Sequence, residues 1–124
     1  MSNAQVQRKH LLESRIEILQ SAFAEWKDQL RENDEKLLKL QQEEERLQQL
    51  AEDFADLDSV SGDADGDARM AREQSELRAR LNTCRGKQDL CRIEYRQAVQ
   101  NMWTTEQYLA AALDEMEQLR ASEQ

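Results

Sequence analysis

Apolar residues recur along this sequence at alternating intervals of four and three residues, and no proline interrupts them. Such a seven-residue repeat is typical of a coiled coil, in which one stripe of each helix packs against a partner helix. The first segment carries only two polar exceptions, Asn33 and Glu44, among the positions Leu12, Ile16, Leu19, Phe23, Trp26, Leu30, Asn33, Leu37, Leu40, Glu44, Leu47, Ala51 and Phe54. The second segment has three polar exceptions among Met70, Gln74, Leu77, Leu81, Cys84, Gln88, Cys91, Tyr95, Ala98, Met102, Thr105, Leu109, Ala112, Met116 and Leu119.

The interval between the two segments contains five aspartates and the glycines Gly62 and Gly66. We therefore predict an all-α fold, an antiparallel two-helix coiled-coil hairpin, as a single domain over residues 1–124. The first helix is expected at residues 5–57, an acidic turn at residues 58–67 and the second helix at residues 68–122. In that turn the glycines would take positive φ and Asp67 would cap the second helix. The pattern leaves open dimerisation into a four-helix bundle.

Charge gives an independent reason to fold the chain back on itself. Residues 41–67 hold ten acidic residues and one base, whereas residues 68–96 hold eight bases and four acidic residues. A hairpin lays these two runs side by side, and such complementarity selects orientation in coiled coils. Each exposed pair contributes only about 0.2–1 kcal/mol, so the charges select the pairing more than they stabilise it.

Two registers fit the heptads. Centring the turn near residue 64 places Asn33 opposite Tyr95 and Trp26 opposite Met102, which is the register we favour. A shift of one heptad instead places Asn33 opposite Gln88, where two buried amides can hydrogen bond. In either register the buried amides are interpreted as devices that select register at some cost in stability.

The acidic interval also resembles a calcium loop at first sight. With Gly66 at the sixth position of an EF-hand loop, Asp63 and Asp65 fall at ligand positions, but Ser61 and Arg72 occupy the two ends, where carboxylates belong. The interpretation we favour is a solvated acidic turn, so no metal site is expected.

Cysteine and histidine usage indicates neither a zinc site nor a disulfide. Cys84 and Cys91 lie one heptad apart, about 10 Å along a helix, which is too far for an intrachain bond. They are interpreted as small core residues in a reducing compartment, with a redox-linked dimer as the alternative. His10 has no second ligand at zinc spacing. No nucleophile and base pair or phosphate loop is present, so the chain is predicted not to be an enzyme and to use no cofactor or small-molecule substrate.

An apolar strip beside the predicted seam marks the expected partner-binding surface. Five of the six aromatic residues fall in the half of the hairpin away from the turn. Exposed aromatic clusters are common binding surfaces, and the occupant would be a second copy or a helix of another protein. The residues predicted to bind a partner are Trp103, Val99, Leu113, Tyr108, Ile18 and Leu11.

Composition restricts the remaining partners. A pI near 4.7 disfavours nucleic acid and anionic membrane surfaces, and no apolar run is long enough for membrane insertion or a secretory signal. We therefore expect a cytoplasmic adaptor or assembly subunit of a multiprotein complex. The alternative is a small acidic chaperone or stalk component. The expected outline is similar to the antiparallel hairpins of bacterial flagellar and type III export machinery, and more loosely to the arms of prefoldin without their β-hairpins; this resemblance is one of shape.

Overall fold

The computed structural model describes residues 2–58 and 64–123, and this part of the chain contains two helices and no strand. Helix α1 comprises Asn3–Asp58 and helix α2 comprises Ala64–Ser122. The two helices pack against each other as an all-α helical hairpin, which confirms the predicted fold class. Their contacts divide the chain into two units. The terminal unit contains Met1–Glu32 and Tyr95–Gln124, and the central unit contains Asn33–Glu94.

The start of α1 is set by a reciprocal pair of hydrogen bonds. The Gln5 backbone N–H donates to Ser2 Oγ at 3.2 Å, and the Ser2 backbone N–H donates to Gln5 Oε1 at 3.0 Å. This capping box satisfies N–H groups that have no partner within the helix. As a result α1 begins at Asn3, two residues before the predicted start at Gln5.

The predicted acidic turn over residues 58–67 is too long. Asp58 ends α1, and the first turn of α2 already contains Asp65, Gly66 and Asp67. No described glycine has positive φ, so Gly66 is a helical residue and Asp67 is not the cap. Acidic residues are favourable in a first helical turn because its free N–H groups carry partial positive charge. The turn residue Gly62, and Ser61 and Asp63 of the calcium-loop alignment, lie outside the described residues.

The heptad pattern locates the core correctly. Every one of the thirteen buried side chains in the described part of the chain occupies a predicted seam position. The predicted seam residue Tyr95, in contrast, is exposed over 37% of its surface. In the central unit the core joins Leu40, Leu47, Leu77, Leu81 and Cys84, with Phe54 packed against them. In the terminal unit it joins Leu12, Ala112 and Met116, with Ile16, Leu19 and Leu119 around them.

Two thiols establish the register of the central unit. Cys84 Sγ donates to the Leu40 carbonyl at 3.1 Å, and Cys91 Sγ donates to the Asn33 carbonyl at 3.3 Å. The helices therefore run antiparallel here, and Leu40, whose carbonyl also accepts from Gln88 Nε2 at 3.5 Å, lies between Cys84 and Gln88. This level is closer to the favoured register, which places Leu40 opposite Gln88, than to the alternative one heptad away. Both cysteines are free and buried, as expected of small core residues.

A polar network occupies the next layer of the central unit. Gln88 Nε2 donates to Glu44 Oε2 at 2.8 Å, and Arg85 Nε donates to Glu44 Oε1 at 2.8 Å. Gln88, which the alternative register placed opposite Asn33, thus bonds to the Glu44 carboxylate. The Arg85 guanidinium first, and the Gln88 amide second, hold the pKa of the Glu44 carboxyl below its usual value.

An ion pair joins the acidic and basic runs in the central unit. Arg85 Nε lies 2.8 Å from Glu44 Oε1. The bases Arg69, Arg72, Arg78, Arg80 and Lys87 are exposed to solvent. Ion pairs between such exposed charges contribute little free energy, so the charge runs select the pairing more than they stabilise it.

Leu47 provides the test of the central core. Its side chain is 0% exposed, whereas Leu50, three residues along the same helix, is 38% exposed. We expect Leu47→Ala to lower the free energy of unfolding by about 2–5 kcal/mol, because it removes buried contacts and leaves a cavity. The matched control Leu50→Ala should cost under about 1 kcal/mol in the same urea titration followed by circular dichroism. Equal losses at the two positions would contradict the assigned core.

Glu44 makes the stability of the hairpin depend on pH. Because its pKa is lowered in the folded state, the ionised carboxylate stabilises the fold above the usual glutamate range, and this stabilisation disappears as pH falls through the lowered pKa. Glu44→Gln should therefore be less stable than the wild type at pH 7, and the difference should shrink below about pH 4. Urea unfolding across this range measures it, with Glu45→Gln on the exposed face as control. A pH-independent difference would argue against the network.

Candidate interaction surface

Heptad positions place each exposed side chain on one side of the seam. The seam residues Leu12 and Ala112 are at heptad position d, and those four residues further on are at a. Positions e and b then lie on one side of a helix and positions g and c on the other. In the terminal unit Arg8 and Glu115, both at g, form an ion pair. Glu13 and Leu113, both at e, line one groove. The terminal unit therefore has two separate flanks, which we call the e/b flank and the g/c flank.

The six predicted partner-binding residues are exposed but do not form one surface. The e/b flank carries Val99 and Leu113 at e, and Trp103 at b. The g/c flank carries Leu11 and Ile18 at c, and Tyr108 at g. All six belong to the terminal unit, as do the five aromatic residues expected at that end. The sequence argument used position along the chain and did not separate the two sides of the seam.

A concave apolar strip on α2 is the best-defined feature of the e/b flank. Tyr95, Val99 and Trp103 recur every four residues and line it together with Arg96 and Gln100. Tyr95 was predicted to lie on the seam. Its side chain is 37% exposed and stands beside Ala98, a buried seam residue one turn further along α2.

The Glu13–Leu113 groove lies further along the same flank. Its apolar floor comes from the seam residues Ile16 and Met116, and Leu113 stands at its edge with 47% of its surface exposed. Polar and charged side chains form the rest of the lining: Glu13, Glu17, Gln20, Asp114, Glu117 and Arg120. The groove can accept an apolar side chain of a partner. The acidic side chains at its edge favour a basic residue next to that apolar residue. Sequence reasoning did not predict this groove, although its acidic positions recur at e and b.

Charge divides the e/b flank into two ends. The end with the Tyr95–Trp103 strip carries bases, and the end with the groove carries mainly acids. The bases are Lys27, Arg31 and Arg96, and the acids are Glu13, Glu17 and Glu117. Lys27 is held over the Phe23 ring, with its Nζ 5.2 Å from the ring centroid. A helix that packs on this flank would therefore meet opposite charges at its two ends.

Within the described residues no group of three or more His, Cys, Asp or Glu side chains could hold a metal ion. Neither described helix contains a stretch that is long and apolar enough to cross a membrane. In comparisons with known proteins, no family model, no curated protein and no solved structure matches this chain.

The two tryptophans give a direct test of this geometry. Trp103 is 57% exposed, whereas Trp26 is a half-buried seam residue. We expect acrylamide to quench Trp103 in the Trp26→Phe variant more strongly than Trp26 in the Trp103→Phe variant, because quenching follows solvent access. The comparison should be made where light scattering gives the monomer mass of 14.5 kDa. Equal quenching would contradict the assignment of Trp103 to the exposed flank.

Proposed function

We propose that this chain is a non-enzymatic coiled-coil adaptor or assembly subunit of a multiprotein complex, and that it acts by packing helices on its terminal unit. The observation that carries the proposal is the exposed Tyr95–Val99–Trp103 strip. Large apolar and aromatic side chains kept in water are typical of surfaces that bury them against a partner.

The build of the hairpin supports a binding role over a catalytic one. Its core is a single stripe on each helix, so the large side chains that remain outside it are available to partners. The sequence contains one histidine and no nucleophile and base pair on which an acid–base or covalent mechanism could depend. We propose the cytoplasm as its location, since two free cysteines suit a reducing compartment.

A second candidate function is that of a small acidic chaperone. The exposed side chains of Leu11, Ile18 and Tyr108 on the g/c flank favour it, because apolar side chains on both flanks could hold a helical or unfolded client from two sides. The two candidates differ in what they bind. An adaptor has one partner at fixed stoichiometry on one flank, and a chaperone has many clients on both.

Site-specific photo-cross-linking tests the proposal. A photoreactive residue at Val99 in the full chain, expressed in its native cell, should yield one product of defined mass. The same residue at Ile18 reports on the g/c flank, and at Gln107, on the outward face of α2, it serves as the matched control. Many products at both Val99 and Ile18 would favour the chaperone. Equal labelling at Val99 and Gln107 would contradict a specific surface on the e/b flank.

A further inference from the structure

We propose that the e/b flank of the terminal unit docks a second copy of this chain about a two-fold axis at the level of Gln20 and Glu106, forming a four-helix bundle. The inference rests on the proposed function, in that it names the partner helices as those of an identical chain. It follows from the order of charges and side-chain sizes along the flank. When a second copy lies antiparallel on this flank, opposite charges face each other and large side chains face small ones.

The e positions set the levels along the flank. Leu12 packs in one core cluster with Ala112 and Met116, so the next residue, Glu13, lies close to the level of Leu113. Because the helices are antiparallel, a step of seven residues forward on α1 corresponds to a step of seven residues back on α2. Gln20 therefore lies level with Glu106. One heptad further, Lys27 lies level with Val99. The e/b flank thus presents three levels of paired e positions, with Gln20 and Glu106 in the middle.

The proposed two-fold axis lies in the interface plane at the middle level and runs across the helices, at right angles to them. It places α1 on α1 and α2 on α2 of the second copy, with each pair antiparallel. Glu13 then meets Lys27 of the second copy, and Lys27 meets Glu13. On α2, Val99 meets Leu113 of the second copy. Charged residues therefore face opposite charges on one side of the bundle, and apolar residues face apolar residues on the other.

The b positions of α2 obey the same symmetry. Trp103 meets Ala110 of the second copy, so the largest side chain of the strip lies against one of the smallest. Arg96 meets Glu117 of the second copy, which joins the basic end of one chain to the acidic end of the other. Large-against-small packing and paired charges are the features that let bundle helices approach closely. Both relations occur twice in the dimer.

The other face-to-face two-fold axis, parallel to the helices, fits poorly. It would lay α1 on α2 of the second copy and keep the levels of the hairpin. Lys27 would then press on Val99, and Arg31 would meet Arg96. An ammonium group against an apolar side chain and two facing guanidinium groups both oppose association. The charge pattern therefore selects the axis at the Gln20–Glu106 level.

At the middle level of the proposed dimer, one contact is unfavourable. Glu106 of each chain approaches Glu106 of the other near the axis, and like charges repel. The Gln20 amide groups at the same level can donate hydrogen bonds to these carboxylates. Glu106→Gln should therefore tighten the dimer, whereas a merely non-specific apolar contact would be indifferent to this change.

Charge reversal with mixing is the decisive experiment. Glu13→Lys gives a chain with lysine at both positions 13 and 27, and Lys27→Glu gives a chain with glutamate at both. Each variant alone should raise the dimer Kd about tenfold or more, since every dimer then contains two like-charge pairs. An equimolar mixture should recover the wild-type Kd by forming heterodimers, as should the double variant Glu13→Lys/Lys27→Glu. Light scattering and native mass spectrometry measure both.

A matched pair on the opposite flank serves as control. Arg15→Glu and Glu25→Lys reverse exposed charges at g and c, and circular dichroism verifies that all variants retain their helix content. These changes should leave the dimer Kd within about threefold of the wild type, alone or mixed. Recovery on mixing that is equally strong for the control pair would overturn the assigned face.

Two further outcomes separate this inference from the proposed function. A wild-type chain that stays monomeric up to millimolar concentration overturns self-docking. If Val99 then still cross-links to one different protein, the adaptor function stands with another partner. If Val99 gives no specific product either, both proposals fail. A dimer whose Kd is insensitive to both e-position variants overturns the proposed axis even though the chain associates.

Discussion

The seam between α1 and α2 is the constraint on which the rest of this protein depends. Each helix buries one stripe of side chains, so the core is only one layer deep and every other side chain faces outward. Leu47 and Cys91 are almost fully enclosed because they lie on that stripe. Trp103 is exposed because its heptad position, b, faces away from the stripe. A chain built in this way carries its function on its outer faces.

The polar members of the seam contribute specificity more than energy. Glu44 lies where an apolar residue would stabilise more, yet its carboxylate binds Arg85 and Gln88 from α2. Such a network is satisfied in one register, since a shift of half a heptad would separate the carboxylate from both donors. Cys84 and Cys91 act in the same direction, because small side chains let their sulfurs reach the carbonyl groups of α1. Together these contacts hold the central unit in one register, close to the one that the centred turn predicts.

The two flanks of the terminal unit differ in kind. The g/c flank carries Leu11, Ile18 and Tyr108 as separate exposed side chains, whereas the e/b flank carries a continuous strip and a groove with opposite charge at its two ends. A flank that is basic at one end and acidic at the other suits a partner that presents an acidic end to the first and a basic end to the second. An identical chain in antiparallel orientation has this property by symmetry, which is why self-docking follows from the charge order as well as from the apolar strip.

The sequence by itself determined the two helices, the residues on their buried stripe and the end of the hairpin that holds most aromatic residues, because heptad periodicity is a local property of each helix. It also contained the capping box of Ser2 and Gln5, which the prediction did not use. The division of the six partner-binding residues between two flanks was also contained in their heptad positions. The register and the exposure of Tyr95 were decided by tertiary structure, because both depend on contacts between residues far apart in the chain, such as Cys91 and Asn33, which are separated by 58 positions.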